Sequence, residues 1–169
     1  LTLKSVVETS AKFAAIPDNQ GRDNPASQSL VSIISQAKSD MRDLFNAPEG
    51  QFFVGESGTE LLFRLIRNAI AGSPEEGNIL GSTLEHPASR SAATHWARVL
   101  DKPYLSVTHN SDTGSVDAAA YCKLVTPETQ VATILHTSPV TGMGVNVAAV
   151  SKAIRAVSPN CYIIVDGIQ

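Results

Sequence analysis

Apolar residues recur at three- and four-residue steps in several segments of the chain, and short apolar runs separate these segments. The three- and four-residue steps predict helices and the short runs predict strands. The predicted helices span about 29–47, 60–72, 87–100, 116–124 and 147–157. The predicted strands span about 51–54, 79–81, 103–107, 131–136 and 162–165. Residues 1–27 lack such a period and are punctuated by Pro17, Gly21 and Pro25, so most of this segment is expected to be an irregular N-terminal arm.

Strands that are apolar throughout, each separated from the next by a helix, indicate a mostly parallel sheet covered by helices on both faces. The predicted fold class is therefore α/β, a three-layer sandwich formed by residues 28–169. Ligands of such sheets bind beyond the carboxyl ends of the strands. Four loops are expected at that edge: Gly55–Glu60, Gly81–Ala88, His136–Asn146 and Asp166–Gln169.

Composition narrows the function classes. The chain is 43% hydrophobic and 17% charged with a formal net charge of -3, which is typical of a globular protein with one core. Because no basic face is apparent, nucleic acid is not an expected partner. No apolar run reaches the roughly 20 residues that cross a bilayer, and no leader pattern is present, so a cytoplasmic protein is expected. Cys122 and Cys161 have neither disulfide nor zinc spacing, and both are expected to be buried thiols without a metal.

The Gly55–Glu60 loop places small residues where a strand is expected to turn into a helix. Free backbone N–H groups and the helix dipole at such a turn can bind an anion, and a phosphate would suit it. The alternative interpretation is a helix cap formed by Ser57, with Glu60 three residues later completing a capping box. The sequence alone leaves both interpretations open.

Two further loops carry ionisable side chains at the same sheet edge. His86 precedes Pro87, which suits the first position of a helix; its imidazole could stack on an aromatic cofactor and move protons, or could only cap the helix. Asp166 ends the last apolar strand. Its carboxylate could pair with a pyridinium nitrogen, or could be an ordinary turn residue.

Taken in order, these loops resemble the class V aminotransferase family, which includes cysteine desulfurases and selenocysteine lyases. The resemblance covers roughly residues 24–169 and rests on five segments in register. They are Asn24-Pro25-Ala26-Ser27, Ser57-Gly58-Thr59-Glu60, Leu84-Glu85-His86-Pro87-Ala88, Asp112-Gly114-Asp117 before Thr126-Pro127-Glu128-Thr129, and Val165-Asp166-Gly167-Ile168-Gln169. Each match is weak alone, whereas five in the same order are specific.

The resemblance implies a pyridoxal 5'-phosphate (PLP) enzyme of fold type I that acts on an amino acid as a homodimer. Gly58 and Thr59 would hold the phosphate and His86, the implied catalytic residue, would stack on the pyridoxal ring. Asp166 would bind the ring nitrogen, and Gln169 would donate a hydrogen bond to the phenolic oxygen. The implied activity is a cysteine desulfurase-like elimination or transfer of a side-chain group.

Two departures from the family pattern qualify this expectation. Pro139 stands where the desulfurase pattern usually has an asparagine, and proline has neither an N–H nor an amide side chain to offer. An aminotransferase, an epimerase or a carbon-sulfur lyase without desulfurase activity is therefore an alternative.

None of the lysines suits a Schiff base, so the family's lysine is expected beyond Gln169, and residues 28–169 would be part of the PLP-binding large domain. A binding module that keeps the fold without the chemistry is the second alternative.

Overall fold

The computed structural model describes residues 2–16 and 21–168 and divides the chain into two compact units, Leu1–Val54 and Gly55–Gln169. The first unit contains helix α1 (Lys4–Phe13) and helix α2 (Pro25–Leu44). Helix α2 begins where Asn24 caps it, because the Asn24 side chain accepts a hydrogen bond from the Ser27 N–H at 3.0 Å. Pro25 takes the first helical position, which needs no N–H donor.

Three expectations about the first unit are corrected. The arm is not mostly irregular, because α1 forms a helix. Helix α1 buries none of its residues, so its sequence does not have the strong apolar periodicity by which a buried helix face is recognised. Helix α2 starts four residues before the expected Ser29. No strand forms at 51–54, where Phe53 and Val54 are exposed and have no neighbouring strand to pair with.

The second unit is built on four parallel strands: β1 (Asn78–Ser82), β2 (Tyr104–Val107), β3 (Thr129–Leu135) and β4 (Tyr162–Asp166). Their order across the sheet is β2-β1-β3-β4. Every residue of β3 is buried, as expected for a central strand with helices over both of its faces. The predicted α/β class with a parallel sheet is confirmed.

Helices cover both faces of this sheet. Helix α3 (Gly58–Ala71) and helix α4 (Pro87–Val99) pack on one face, in a core that includes Ile66, Ile79 and Val131. Helix α5 (Ala118–Cys122) and helix α6 (Val147–Val157) pack on the other face, in a core that includes Val150 and Ile134. The result is the three-layer sandwich that the sequence predicts.

The buried Lys102 side chain connects loops at the amino end of the sheet through hydrogen bonds. The Lys102 Nζ donates hydrogen bonds to the Pro74 carbonyl at 2.5 Å, the Glu75 carbonyl at 2.9 Å and Gln130 Oε1 at 2.8 Å. Gln130 lies near the start of β3, whereas ligands of parallel sheets bind beyond the carboxyl ends. The Lys102 ammonium group therefore already has three hydrogen-bond acceptors. It also lies at the amino edge of the sheet, whereas a Schiff-base lysine would be needed at the carboxyl edge.

We expect Lys102→Met to lower the free energy of unfolding by about 1–3 kcal/mol, because the buried Gln130 Oε1 and two partly buried carbonyl oxygens would lose their donor. Chemical denaturation of the full-length protein measures this loss. Lys152→Met, which removes an exposed lysine from α6, is the matched control and should change stability little. Equal effects of the two substitutions would contradict the structural role of Lys102.

The two thiols differ in environment. Cys161 is buried, as expected, but Cys122 is exposed at the end of α5, so the expectation that both are buried is wrong for Cys122. Helix α5 is short, and its last residue projects beyond the core that Tyr121 enters.

Across residues 2–16 and 21–168, no helix combines the length and the apolarity that a membrane crossing requires.

Candidate functional site

The strand order creates a crevice at the carboxyl edge of the sheet. From β1 the chain moves to β2 on one side, and it then returns to place β3 on the other side of β1. Connections that leave in opposite directions open a space between β1 and β3, which is where ligands of such sheets bind. A cavity of about 210 Å³ lies at this edge. Its lining residues are Gly58, Thr59, Leu62, His86, Ala88, Leu135, Asp166 and Ile168.

The start of α3 supplies backbone donors to this cavity. Gly58 and Thr59 occupy the first turn of the helix, where N–H groups have no acceptor within the helix. Ser57 caps the helix by accepting a hydrogen bond from the Glu60 N–H at 3.1 Å, while the Glu60 carboxylate pairs with Arg64. The cap and the anion site are therefore compatible, since the cap uses the Glu60 donor and leaves the first two to the cavity.

His86 has two roles in the structure. It is the N-cap residue of α4, because its Nδ1 accepts a hydrogen bond from the Ala88 N–H at 3.2 Å. It also lines the cavity. An accepting Nδ1 places the proton of a neutral imidazole on Nε2. From the sequence, capping a helix and facing a ligand are alternative roles for His86. In the structure, His86 caps α4 and also lines the cavity.

Asp166 is a buried carboxylate at the end of β4, with 6% of its surface exposed. Its Oδ2 accepts a hydrogen bond from the Ser89 hydroxyl at 3.0 Å, and its Oδ1 accepts one from the Ile168 N–H at 3.4 Å. Each carboxylate oxygen can accept more than one donor, so Asp166 retains capacity for a ligand N–H. The position suits a cationic partner, because a buried carboxylate is costly unless it is paired.

Four of the five residues predicted for the site lie around one cavity: Gly58, Thr59, His86 and Asp166. Gln169 lies outside the described residues, so its role remains a prediction. The predicted loop at 136–146 contributes no side chain to this cavity, and Pro139 is not among the lining residues. Ser89 was missed by sequence reasoning. Its only signal is its place one turn after His86 on the same helix, which does not reveal a contact with a residue 77 positions away.

Comparisons with known proteins identify the family to which the chain belongs. The family model described as Aminotransferase class-V matches residues 2–169. A probable cysteine desulfurase of Mycoplasma genitalium is 28% identical over 160 residues, which cover 93% of this chain. The chain spans 38% of that relative's length.

Two solved structures show the same fold. A NifS-like protein superposes with a TM-score of 0.91 at 16% identity, covering 99% of this chain and 46% of its own. The carbon-sulfur lyase C-DES, in a variant with glycine covalently linked to its PLP cofactor, superposes with a TM-score of 0.75 at 18% identity. That match covers 98% of this chain and 43% of C-DES.

Proposed function

Because the chain belongs to the class V aminotransferase family, we propose that the protein binds PLP in the cavity between α3, α4 and β4 and acts on an amino acid. The proposed reaction is a cysteine desulfurase-like elimination or transfer of a side-chain group. The observation that carries the proposal is that Gly58, Thr59, His86 and Asp166 line one cavity. These residues come from three separate segments of the sequence.

The residues present fit the chemical parts of PLP. The free N–H groups of Gly58 and Thr59, at the positive end of the α3 dipole, suit a phosphate. The flat imidazole of His86 suits an aromatic ring, and the buried Asp166 carboxylate suits a protonated ring nitrogen. When bound, PLP supplies an electron sink for carbanion chemistry, and the carboxylate sustains that property by keeping the ring nitrogen charged. We assign Gln169 to the phenolic oxygen by resemblance.

Cysteine is the substrate that we propose first, because the curated relative is named as a probable cysteine desulfurase. Pro139 favours a second candidate, a carbon-sulfur lyase or another PLP enzyme without desulfurase activity. The reason is that proline cannot provide an amide side chain to a substrate carboxylate. Assaying alanine and sulfide release from cysteine separates the two candidates. Equimolar alanine and sulfide would support a desulfurase, whereas sulfide without alanine would support a lyase.

Borohydride reduction of the full-length protein with PLP, followed by peptide mapping, tests the proposed cofactor. We expect one PLP-modified lysine, and we place it outside residues 1–169 because none of the lysines in this range lines the cavity. Absence of any modified lysine would overturn the proposal. A single modification at a lysine within residues 1–169 would overturn our placement of the Schiff base.

Gly58 gives a prediction about the shape of the cavity. A Cβ at this position would overlap Cδ1 of Ile168, another lining residue. We expect Gly58→Ala to weaken PLP affinity only about two- to threefold, less than overpacking of a closed core would, because Cδ1 is the end of an exposed side chain that can move aside. Ile168→Ala in the same chain should restore most of that affinity by removing the overlapping atom. PLP titration followed by absorbance measures both, and a double variant no better than Gly58→Ala would contradict this explanation.

We also propose a homodimer in the cytoplasm. The family resemblance supports the dimer, and the two free cysteines suit a reducing compartment. Sedimentation of the full-length protein tests the assembly, and a concentration-independent monomer would overturn it.

A further inference from the structure

Glu85, the residue before His86, has a buried carboxyl group with few hydrogen-bond donors near it. It has 4% of its surface exposed and lies in the connection between β1 and α4. Its Oε1 accepts a hydrogen bond from the Ser82 hydroxyl at 3.3 Å. Its Oε2 is buried and has no hydrogen-bond partner among the residues that the structure describes. An ionised carboxylate in this setting is costly, whereas a protonated carboxyl group is tolerated.

The surroundings of Glu85 contain further polar groups without partners. The Tyr104 hydroxyl and Thr133 Oγ1 are both buried and unpaired within the described part of the chain. They converge above Gly81, where an added Cβ would overlap the Tyr104 hydroxyl and lie 2.9 Å from Thr133 Oγ1. Neither group is charged at neutral pH, so neither can balance a negative charge on Glu85.

The charged and titratable groups that act on Glu85 come from every element around it. Asp166 on β4 contributes a negative charge that acts on Glu85. Tyr104 on β2 and Tyr121 on α5 are weak acids whose pKa values are raised by burial first and by the Glu85 carboxylate second. Arg90 on α4 acts on Tyr104. Burial is the largest influence and raises the pKa of Glu85 to about 7. The Ser82 hydrogen bond lowers this pKa, the Asp166 charge raises it further, and the nearby polar groups of Leu135 and Thr133 lower it by less.

We propose that Glu85, buried next to the cavity residue His86, is a proton-holding positioning residue whose ionisation is coupled to the charge at Asp166. Two carboxyl groups buried at one sheet edge cannot both ionise without cost. Asp166 accepts hydrogen bonds from the Ser89 hydroxyl and the Ile168 N–H, and both donors favour a negative charge on its oxygens. A protonated Glu85 then leaves the Asp166 carboxylate, which lines the cavity, to interact with a cationic ligand.

The coupling is reciprocal. A cation held against Asp166 offsets the charge that disfavours ionisation of Glu85, so it favours release of the Glu85 proton to solvent. In the same way, ionisation of Glu85 strengthens the attraction of the cavity for a cation. The identity of that cation as a PLP pyridinium rests on the proposed function, whereas the coupling between Glu85 and Asp166 does not.

Infrared spectroscopy of the full-length protein without PLP tests the proposal. We expect the C=O band of a buried protonated carboxyl group, lost with a midpoint near pH 7 in the parent and absent in Glu85→Gln. Ser82→Ala should move the midpoint to higher pH and Asp166→Asn should move it to lower pH, because the Ser82 hydrogen bond lowers the pKa of Glu85 and the Asp166 charge raises it. Glu128→Gln, an exposed glutamate, is the matched control and should leave the band unchanged.

A band that persists in Glu85→Gln, or a midpoint that Asp166→Asn does not lower, would overturn the proposal. If Glu85→Gln fails to fold, the opposite shifts in Ser82→Ala and Asp166→Asn still decide whether the proposal holds.

Absorbance of bound PLP between pH 6 and 8 adds a second measurement. A spectral change present in the parent and missing in Glu85→Gln supports the coupling, and identical titrations of the two would contradict its link to the cofactor. Failure of PLP to bind at all would reject the proposed function while leaving the infrared result to decide the coupling.

Discussion

His86→Asn and His86→Ala are expected to separate the two roles of His86. Asparagine is a favourable N-cap, so His86→Asn should retain the stability of α4, whereas His86→Ala should lower the free energy of unfolding by about 0.5–2 kcal/mol. Both should lower kcat/KM by a factor on the order of 10²–10⁴, because both remove the imidazole that we propose contacts the cofactor and moves protons. Denaturation and steady-state kinetics with cysteine, both on the full-length protein, measure the two effects.

His95 provides the matched control, since it lies on the same helix, is exposed and does not line the cavity. His95→Asn should change neither stability nor activity appreciably. If His86→Asn kept full activity while His86→Ala lost it, the activity loss would come from the cap, and His86 would have no direct part in the chemistry.

Asp166→Asn should lower kcat/KM by a factor on the order of 10²–10³, the range found when a preorganised electrostatic group is removed. The substitution keeps the shape of the side chain and removes its charge, so the ring nitrogen of PLP would lose the partner that keeps it protonated. PLP affinity should fall less than activity, because the donors at Gly58 and Thr59 remain. Kinetics and PLP titration on the same samples measure the difference.

Ser89→Ala should have a smaller effect of about tenfold, because it removes one hydrogen bond to a charged group and leaves the charge. Ser91→Ala, a change of the same kind at an exposed position of α4, is the control. A larger loss in Ser89→Ala than in Asp166→Asn would show that packing around the carboxylate, and not its charge, determines activity.

Much of the second unit could be predicted because its local signals agree with its tertiary contacts. Helix α6 has the bounds that the sequence predicts, since Val150 and Ile154 are spaced by four residues and both enter the core. His86 and Asp166 could be placed near each other because both follow strands of one parallel sheet, and the carboxyl ends of such strands share an edge.

Other features depend on contacts that no local pattern encodes. Helix α1 has no buried face, so periodicity did not identify it, while the apolar residues at 51–54 suggested a strand that has no partner. The hydrogen bond between Ser89 and Asp166 joins distant parts of the sequence. The burial of Glu85 was equally hidden, because a glutamate beside a helix start normally faces solvent, and only the stacking of the layers shows that this one does not.

An experimental structure of the full-length protein with PLP is the most direct measurement of whether this cavity binds the cofactor. We expect the phosphate against the first N–H groups of α3, the ring facing His86, and the ring nitrogen within hydrogen-bonding distance of Asp166. PLP bound at another site, or bound here with its phosphate at Asp166 and its ring away from His86, would contradict the assignment.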